Sequence, residues 1–212
     1  MTLDPYLYCI LDLGYVLETD AEQVTAAVLA GGADRLQLRA KNHDLAHIER
    51  VAKRVLPLCR AAGVPFILND HPALAAAIGA DGVHLGQDDG SLAGARKLTG
   101  AGMLVGRSTH SLTQARAALA EGFDYIGFGP LFPTPTKAGR PAIGLAEIST
   151  MERDVGVHIP AFCIGGIHPG NLSQVLDAGA RRIVMVSALL QAADIQAATR
   201  EVADRLRPVT QR

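Results

Sequence analysis

"SLTQARAALAEGFDYIGF" (residues 111–128) contains one full repeat of the fold in miniature. Its first part, "SLTQARAALAEG" (111–122), is alanine-rich and spaced as a helix. Ser111 is suited to cap its start, because a hydroxyl can accept from the unpaired N–H groups there. Gly122 is suited to end it, because glycine takes the left-handed conformation of a C-terminal cap without penalty. Then "YIGF" (125–128) is short, apolar and β-prone. A helix that closes on glycine and leads straight into a buried strand is the joint of a repeating βα chain.

The same alternation extends in both directions. Strand-like runs occur at "YLYCIL" (6–11), "RLQL" (35–38), "PFIL" (65–68) and "GVHL" (82–85). Others are "MLVG" (103–106), "PAFCIG" (160–165) and "RIVMV" (182–186). Helical spacing recurs between them, at "AEQVTAAVLA" (21–30), "LAHIERVAKRVLPLCRAAG" (45–63) and "NLSQVLDAGA" (171–180), where Asn171 is a further N-cap candidate. The strands are nearly continuous in apolar residues, as strands covered on both faces should be. Eight βα units predict an α/β fold, a (β/α)8 TIM barrel built as one domain over residues 1–212. An open doubly wound sheet shares the alternation, and strand count does not separate the two.

Composition narrows the function. With 212 residues the chain can build one sizeable core. A net charge of −1 argues against general nucleic-acid or anionic-membrane binding, since both need a basic excess. No apolar run approaches the ~18 residues of a membrane span. The start, "MTLDPYLYCI", lacks the basic, then long apolar pattern of a signal peptide. Cys9, Cys59 and Cys163 stand singly in apolar segments, which suits buried reduced thiols and a cytoplasmic setting. The oligomeric state stays open, a homo-oligomer included, because helix surfaces can hide an interface.

In a barrel the chemistry gathers at the C-terminal ends of the strands. The second strand runs into "QLRAKN", where Gln37, Arg39 and Lys41 alternate onto one side of the backbone. A cation facing the barrel mouth calls for an anion to meet it. The third ends in Asn69-Asp70 and the fourth in "VHLGQDDG", with Asp88 and Asp89. Either acidic stretch alone could be a turn or a cap. Neighbouring strands lie ~4.8 Å apart, so Asp70 and one of the later carboxylates should converge. Two carboxylates with no lysine between them want a cation, and a hard oxygen set this small suggests Mg²⁺ completed by water and a phosphate-type ligand. His84 reads equally well as a hydrogen-bonded core histidine or as a substrate contact.

The fifth strand leads to "GRSTH", where the Ser108 hydroxyl at a helix start suits a phosphate oxygen. The sixth leads to "GPLFPTPTKAG" (129–139), whose prolines stiffen a loop carrying Thr134, Pro135, Thr136 and Lys137. After the seventh, Gly165-Gly166 leave room for a ligand to touch the backbone, and after the eighth Val186-Ser187 meet the last helix. Two anion sites sharing one mouth describe an enzyme that processes two phosphorylated small molecules. No Cys-His pair or activated serine suggests covalent catalysis.

In this order and spacing, "QLRAK", "LND", "HLGQDD", "GRSTH", "GPLFPTPTK", "IGGI" and "VSAL" resemble the thiamine phosphate synthase family over nearly the whole chain. The resemblance implies a transferase of thiamine biosynthesis, with two small-molecule substrates and Mg²⁺ as cofactor. It would condense a hydroxymethylpyrimidine diphosphate with a thiazole phosphate by dissociative substitution. It implies that Gln37, Leu38, Arg39, Ala40, Lys41, Asn69, Ser108 and Lys137 bind the pyrimidine diphosphate. Arg39, Lys137 and Ser108 would act on the departing pyrophosphate. Asp70 and Asp89, rather than Asp88, would hold the metal, and Thr134 to Thr136, Gly166, Val186 and Ser187 the thiazole phosphate. The chain departs from the family pattern at Ala40, at His71 and in "CILDLGYV", where "ITD" is common. Two other readings share the barrel: a thiazole tautomerase with His110 as proton carrier, and a non-catalytic protein that binds thiamine intermediates.

Overall fold

The computed structural model describes residues 6–134 and 141–207. Eight parallel strands close into a barrel in sequence order, β1 through β8, with β8 pairing back to β1. They are β1 Leu7–Asp12, β2 Arg35–Arg39, β3 Phe66–Asn69 and β4 Gly82–Leu85, then β5 Leu104–Thr109, β6 Tyr125–Phe128, β7 Ala161–Cys163 and β8 Arg182–Met185. Closure rules out the open sheet, because no strand edge is left. The helices between them include α1 Ala21–Ala30, α2 Leu45–Ala62, α3 Pro72–Ile78, α4 Leu92–Thr99 and α5 Leu112–Glu121. There follow the short α6 Ile148–Met151, then α7 Leu172–Asp177, the one-turn α8 Ser187–Leu190 and α9 Ile195–Leu206.

Alternation along the strands divides the apolar residues into two layers. Tyr8, Ile10, Ile67, Tyr125, Phe162 and Val184 pack inside the barrel. Their chain neighbours, such as Leu7, Cys9, Leu36, Leu38 and Phe66, pack outward beneath the helices. A buried cation closes the N-terminal end of the inner layer. The Arg35 guanidinium lies 4.4 Å from the ring centre of Tyr125, 5.2 Å from Phe162 and 5.5 Å from Tyr8. Three electron-rich faces offset part of what removing that charge from water costs.

Ser111 caps α5 as expected, its hydroxyl accepting from the Gln114 N–H at 3.2 Å. Asn171 does not cap α7. Its amide turns back instead, accepting from the His168 N–H at 2.8 Å and donating to the Gly166 carbonyl at 2.9 Å. Strand β5 runs three residues further than its apolar run suggested, so Ser108 lies within a strand and not at a helix start. Ser187 opens the one-turn α8, separate from the last helix, α9. The three cysteines are free and buried, and burial pushes the Cys59 thiol up to about 12. No described helix is long and apolar enough to cross a membrane.

Candidate active site

A cavity of about 480 Å³ opens at the C-terminal ends of the strands. From the β2–β5 side Gln37, Arg39, Asn69 and Ser108 line it. From the opposite side come Thr134, Gly166, Val186 and Ser187. Residues as distant in sequence as Gln37 and Ser187 therefore meet around one space, as the strand-end reading required. Pro135, Thr136 and Lys137 lie outside the described residues. Leu38 and Ala40 turn their side chains into the outer apolar layer, so contact with a ligand in the main cavity would fall to their backbone.

Charge is concentrated on the β1–β5 edge. Arg39 reaches across to the buried Asp12 of β1, Nη1 to Oδ2 at 2.5 Å. Asp12 also accepts from the Gly14 N–H at 2.9 Å, which anchors its carboxylate. Arg39 is thereby anchored at the cavity wall by an acid of "CILDLGYV". Asp70 and Asp89 do converge, with their carboxyls in hydrogen-bond contact. Asp88 is exposed. Asp89 folds back to accept from the Gly86 N–H at 2.8 Å, and a Cβ at Gly86 would stand 2.5 Å from Asp89 Oδ2, so a side chain there would push the carboxylate away.

The expectation of no lysine between these carboxylates is overturned. Lys41 Nζ stands 3.1 Å from Asp70 Oδ2, because the loop after β2 bends over the end of β3. Its bend uses a positive φ at Asn42, and Asp70 itself has φ 66°. Burial, then the neighbouring Asp89, raises the Asp70 pKa above the usual carboxylate range, against the pull of Lys41. Burial acts in the same sense on Asp89. Yet its hydrogen bonds from Asp70 and the Gly86 N–H, with Lys41 and Arg107 nearby, hold it below that range. The two carboxyls are thus pushed in opposite directions, Asp70 towards its neutral form and Asp89 towards its charged form. Asp70 and Lys41 face a second cavity of about 190 Å³, which Asn69 separates from the main one.

Sequence reasoning missed the groups that hold this edge. Arg107 of β5 donates to the carbonyls of Gly86, Gln87 and Gly90 at 2.9, 3.1 and 2.8 Å, and so ties down the loop carrying Asp89. A buried side-chain chain was missed as well. Gln37 Nε2 donates to the Tyr8 hydroxyl at 2.6 Å, which lies 3.3 Å from the Tyr125 hydroxyl. That hydroxyl is 3.3 Å from His84 Nδ1, and His84 Nε2 is 3.0 Å from Ser108 Oγ. His84 is thus hydrogen-bonded and cavity-lining at once. The signal available was polar atoms at alternate, inward positions of otherwise apolar strands.

On the β6–β8 edge the loops are joined through their backbones. Leu131 N–H donates to the Ile164 carbonyl at 2.8 Å and Phe132 N–H to that of Gly165 at 3.0 Å, so the loops after β6 and β7 pair. The two glycines line the cavity, and they also admit this pairing. A Cβ at Gly165 would lie 2.4 Å from Pro130 Cβ, and one at Gly166 2.7 Å from Phe132 Cβ. The missing side chains make room for the neighbouring loop, and both residues adopt positive φ. His110 also serves this edge. Its Nδ1 donates to the Gly129 carbonyl, and its N–H donates to Gln114 Oε1 at 2.7 Å.

Comparison with known proteins identifies the family. The family model described as thiamine monophosphate synthase matches residues 7–189. The chain belongs to that family. It is 51% identical over 193 residues to the thiamine-phosphate synthase of Thermus thermophilus, covering 91% of this chain and 92% of that one. It is 44% identical over 189 residues to the Streptomyces avermitilis enzyme, covering 89% and 87%. The solved thiamine phosphate pyrophosphorylase of Pyrococcus furiosus superposes with a TM-score of 0.85 at 31% identity, over 97% of this chain and 96% of that one. Among the described residues no group of three or more His, Cys, Asp or Glu side chains forms a metal cage.

Proposed function

We infer that the chain is a thiamine-phosphate synthase, a transferase of thiamine biosynthesis, and that its mouth divides the two substrates between its two edges. The observation that carries the division is the cluster of Arg39, Lys41, Asp70 and Asp89 on one edge, opposite the glycines and Ser187. The charged edge suits the pyrimidine diphosphate, the neutral edge the thiazole phosphate.

The carbon–oxygen bond between the pyrimidine methylene and the diphosphate breaks, and the thiazole nitrogen bonds to that carbon. Pyrophosphate leaves with the electron pair. Arg39, Lys41 and Ser108, joined by Lys137, stabilise the charge that collects on it. Asp12 matters here by keeping Arg39 aimed. Mg²⁺ would be held by Asp70 and Asp89, whose converging hard oxygens fit a divalent cation, and would add positive charge at the leaving group. Gln37 faces the pyrimidine ring from the cavity wall. The paired loops after β6 and β7 shield the methylene from water. No general base is required, because the thiazole nitrogen attacks through an existing lone pair. The reading includes a cytoplasmic location, supported by three cysteines that are free thiols.

One assay tests it. The protein is given both substrates, with Mg²⁺ or with excess chelator, and thiamine phosphate and pyrophosphate are followed together. Equimolar formation of both, lost in chelator, is expected. Full turnover in chelator refutes the metal assignment.

A further inference from the structure

We propose that His168 is a further ligand of the phosphate on the β6–β8 edge, donating to it from Nε2 at the rim of the cavity. The proposal rests on the assignment of that edge to the thiazole phosphate.

A phosphate monoester presents three strongly accepting oxygens, so its site must gather several donors. Ser187 brings one hydroxyl to the cavity. Asn171 also lines it, but spends its amide on the loop after β7. Its Oδ1 accepts from the His168 N–H at 2.8 Å and its Nδ2 donates to the Gly166 carbonyl at 2.9 Å. His168 lines the same cavity, two residues beyond Gly166, and is exposed, which puts it at the rim.

The loop holds this ring in place. The His168 carbonyl accepts from the Asn171 and Leu172 N–H groups, both at 3.1 Å, where α7 begins. The Gly170 N–H donates to His168 Nδ1 at 3.2 Å. A Cβ at Gly170 would stand 3.1 Å from His168 Cε1 and 3.2 Å from Nδ1, so a side chain there would crowd the ring. From outside, Arg205 of α9 donates to the Pro169 carbonyl and to the Ser173 hydroxyl, both at 2.9 Å. The loop is therefore tied to the Gly166 carbonyl on one side and to α9 on the other.

Proton counting then assigns the chemistry. A backbone N–H can only donate, so Nδ1 is the acceptor and the neutral ring carries its proton on Nε2. A second proton would go to Nδ1. Nε2 is thus a donor whether the ring is neutral or charged, which suits an anion at every working pH. The thiazole nitrogen must face the pyrimidine carbon across the cavity. The phosphate at the other end of that molecule then lies toward this rim, between Ser187 and His168.

Kinetics on the intact enzyme test the contact. His168→Ala should raise the KM for the thiazole phosphate about tenfold, the scale of one hydrogen bond to a charged group, at nearly constant kcat. The KM for the diphosphate should not change. Rescue separates contact from packing. His168→Gln can place an amide N–H near the position of Nε2 and should stay within about threefold of wild type. His168→Asn can place one only near Nδ1 and should behave as alanine does. Calorimetry then removes the phosphate. The Kd of thiazole phosphate should rise about tenfold in the His168→Ala variant, while that of the unphosphorylated thiazole alcohol should match wild type. Equal losses for both ligands, equal losses in the Gln, Asn and Ala variants, or a raised KM for the diphosphate would each overturn the proposal. If the alcohol binds too weakly to measure, the Gln and Asn comparison decides. If thiazole phosphate binds with this dependence on His168 but no thiamine phosphate forms, the synthase reading falls and the phosphate contact stands. If neither ligand binds, both fall.

Discussion

The two edges of the cavity are made of different material. Between β1 and β5 ligands would meet side-chain charge: Arg39 on Asp12, Lys41 on Asp70, and Asp70 against Asp89. Between β6 and β8 they would meet Ser187, Val186 and the glycine pair, with Gly165 and Gly166 pressed against Pro130 and Phe132. The difference matches two tasks. An edge that must answer charge as it develops needs groups with strong, oriented fields. An edge that must only hold a phosphate through the reaction needs shape and N–H or hydroxyl donors. Substitutions on the first edge should therefore lower kcat, and substitutions on the second should raise one KM.

The largest effect should come from the carboxylate pair. Asp70→Asn and Asp89→Asn should each lower kcat by about 10²–10³-fold, the range for losing a charge-stabilising group, while Asp88→Asn stays within about threefold. Steady-state pyrophosphate release measures all three. Equal losses at Asp88 and Asp89 would break the assignment of the folded-back carboxylate to the metal. Next in size, Arg39→Ala should lower kcat by about 10²-fold, and Asp12→Asn by about tenfold because the guanidinium is kept but loses its anchor. Ser187→Ala should instead raise the KM for the thiazole phosphate by about tenfold at nearly constant kcat. If Arg39→Ala and Ser187→Ala changed the same parameter of the same substrate, the two-edge division would be wrong.

Gly166→Ala sharpens the neutral edge. Alanine at φ 66°, with its Cβ 2.7 Å from Phe132 Cβ, must displace the paired loop. It should cost about 1–3 kcal/mol of stability and raise the thiazole phosphate KM, with little change for the diphosphate. Urea unfolding and kinetics on the same sample separate the two consequences. Unchanged stability in the Gly166→Ala variant would mean that the loop pairing is loose.

These contrasts also explain what could be read from the sequence. The barrel was legible because strand burial on both faces and helical alanine spacing are local signals, repeated around the whole barrel. Gln37, Arg39, Asn69 and Ser108 were legible because polar residues at the ends of apolar strands stand out. Their partners did not stand out. Asp12 meets Arg39 only because β1 pairs with β2 in the register Asp12 to Arg39. Arg107 is one basic residue in a strand until its three carbonyl partners are known. Lys41 reaches Asp70 through a left-handed turn at Asn42, a conformation that asparagine tolerates but does not announce. The glycine pair does stand out, but it reads as room for a ligand. Both glycines do line the cavity, but they are also packed against the loop after β6, a whole βα unit earlier in the chain, and no local pattern reveals that contact.

The smallest effect concerns the charged edge without its cation. Asp70 has a folded-state pKa raised above its unfolded value, by burial first and by Asp89 next. Such a group favours the folded state fully only below its unfolded pKa, where it is protonated in both states. That stability is lost as pH rises through the raised folded pKa. At pH 7 in chelator, ionised Asp70 should therefore weigh against folding. Asp70→Asn, which mimics the protonated side chain, should be more stable than wild type there, by a few degrees at ~2–4 °C per kcal/mol for a chain of this size. The variant also loses the Lys41 ion pair, but Lys41 is half exposed, at 50%, and pairs of that kind contribute little. The advantage should shrink as pH falls towards the ordinary carboxylate range, where wild-type Asp70 takes up its proton. Mg²⁺ at neutral pH should reverse the order, since it stabilises only the protein that retains both carboxylates. Scanning calorimetry at pH 5 and 7, with chelator and with Mg²⁺, reads all four conditions. If the Asp70→Asn variant proved less stable than wild type at pH 7 in chelator, Lys41 would be the true partner of Asp70, and this edge would be an ion pair and not a cation site waiting for its metal.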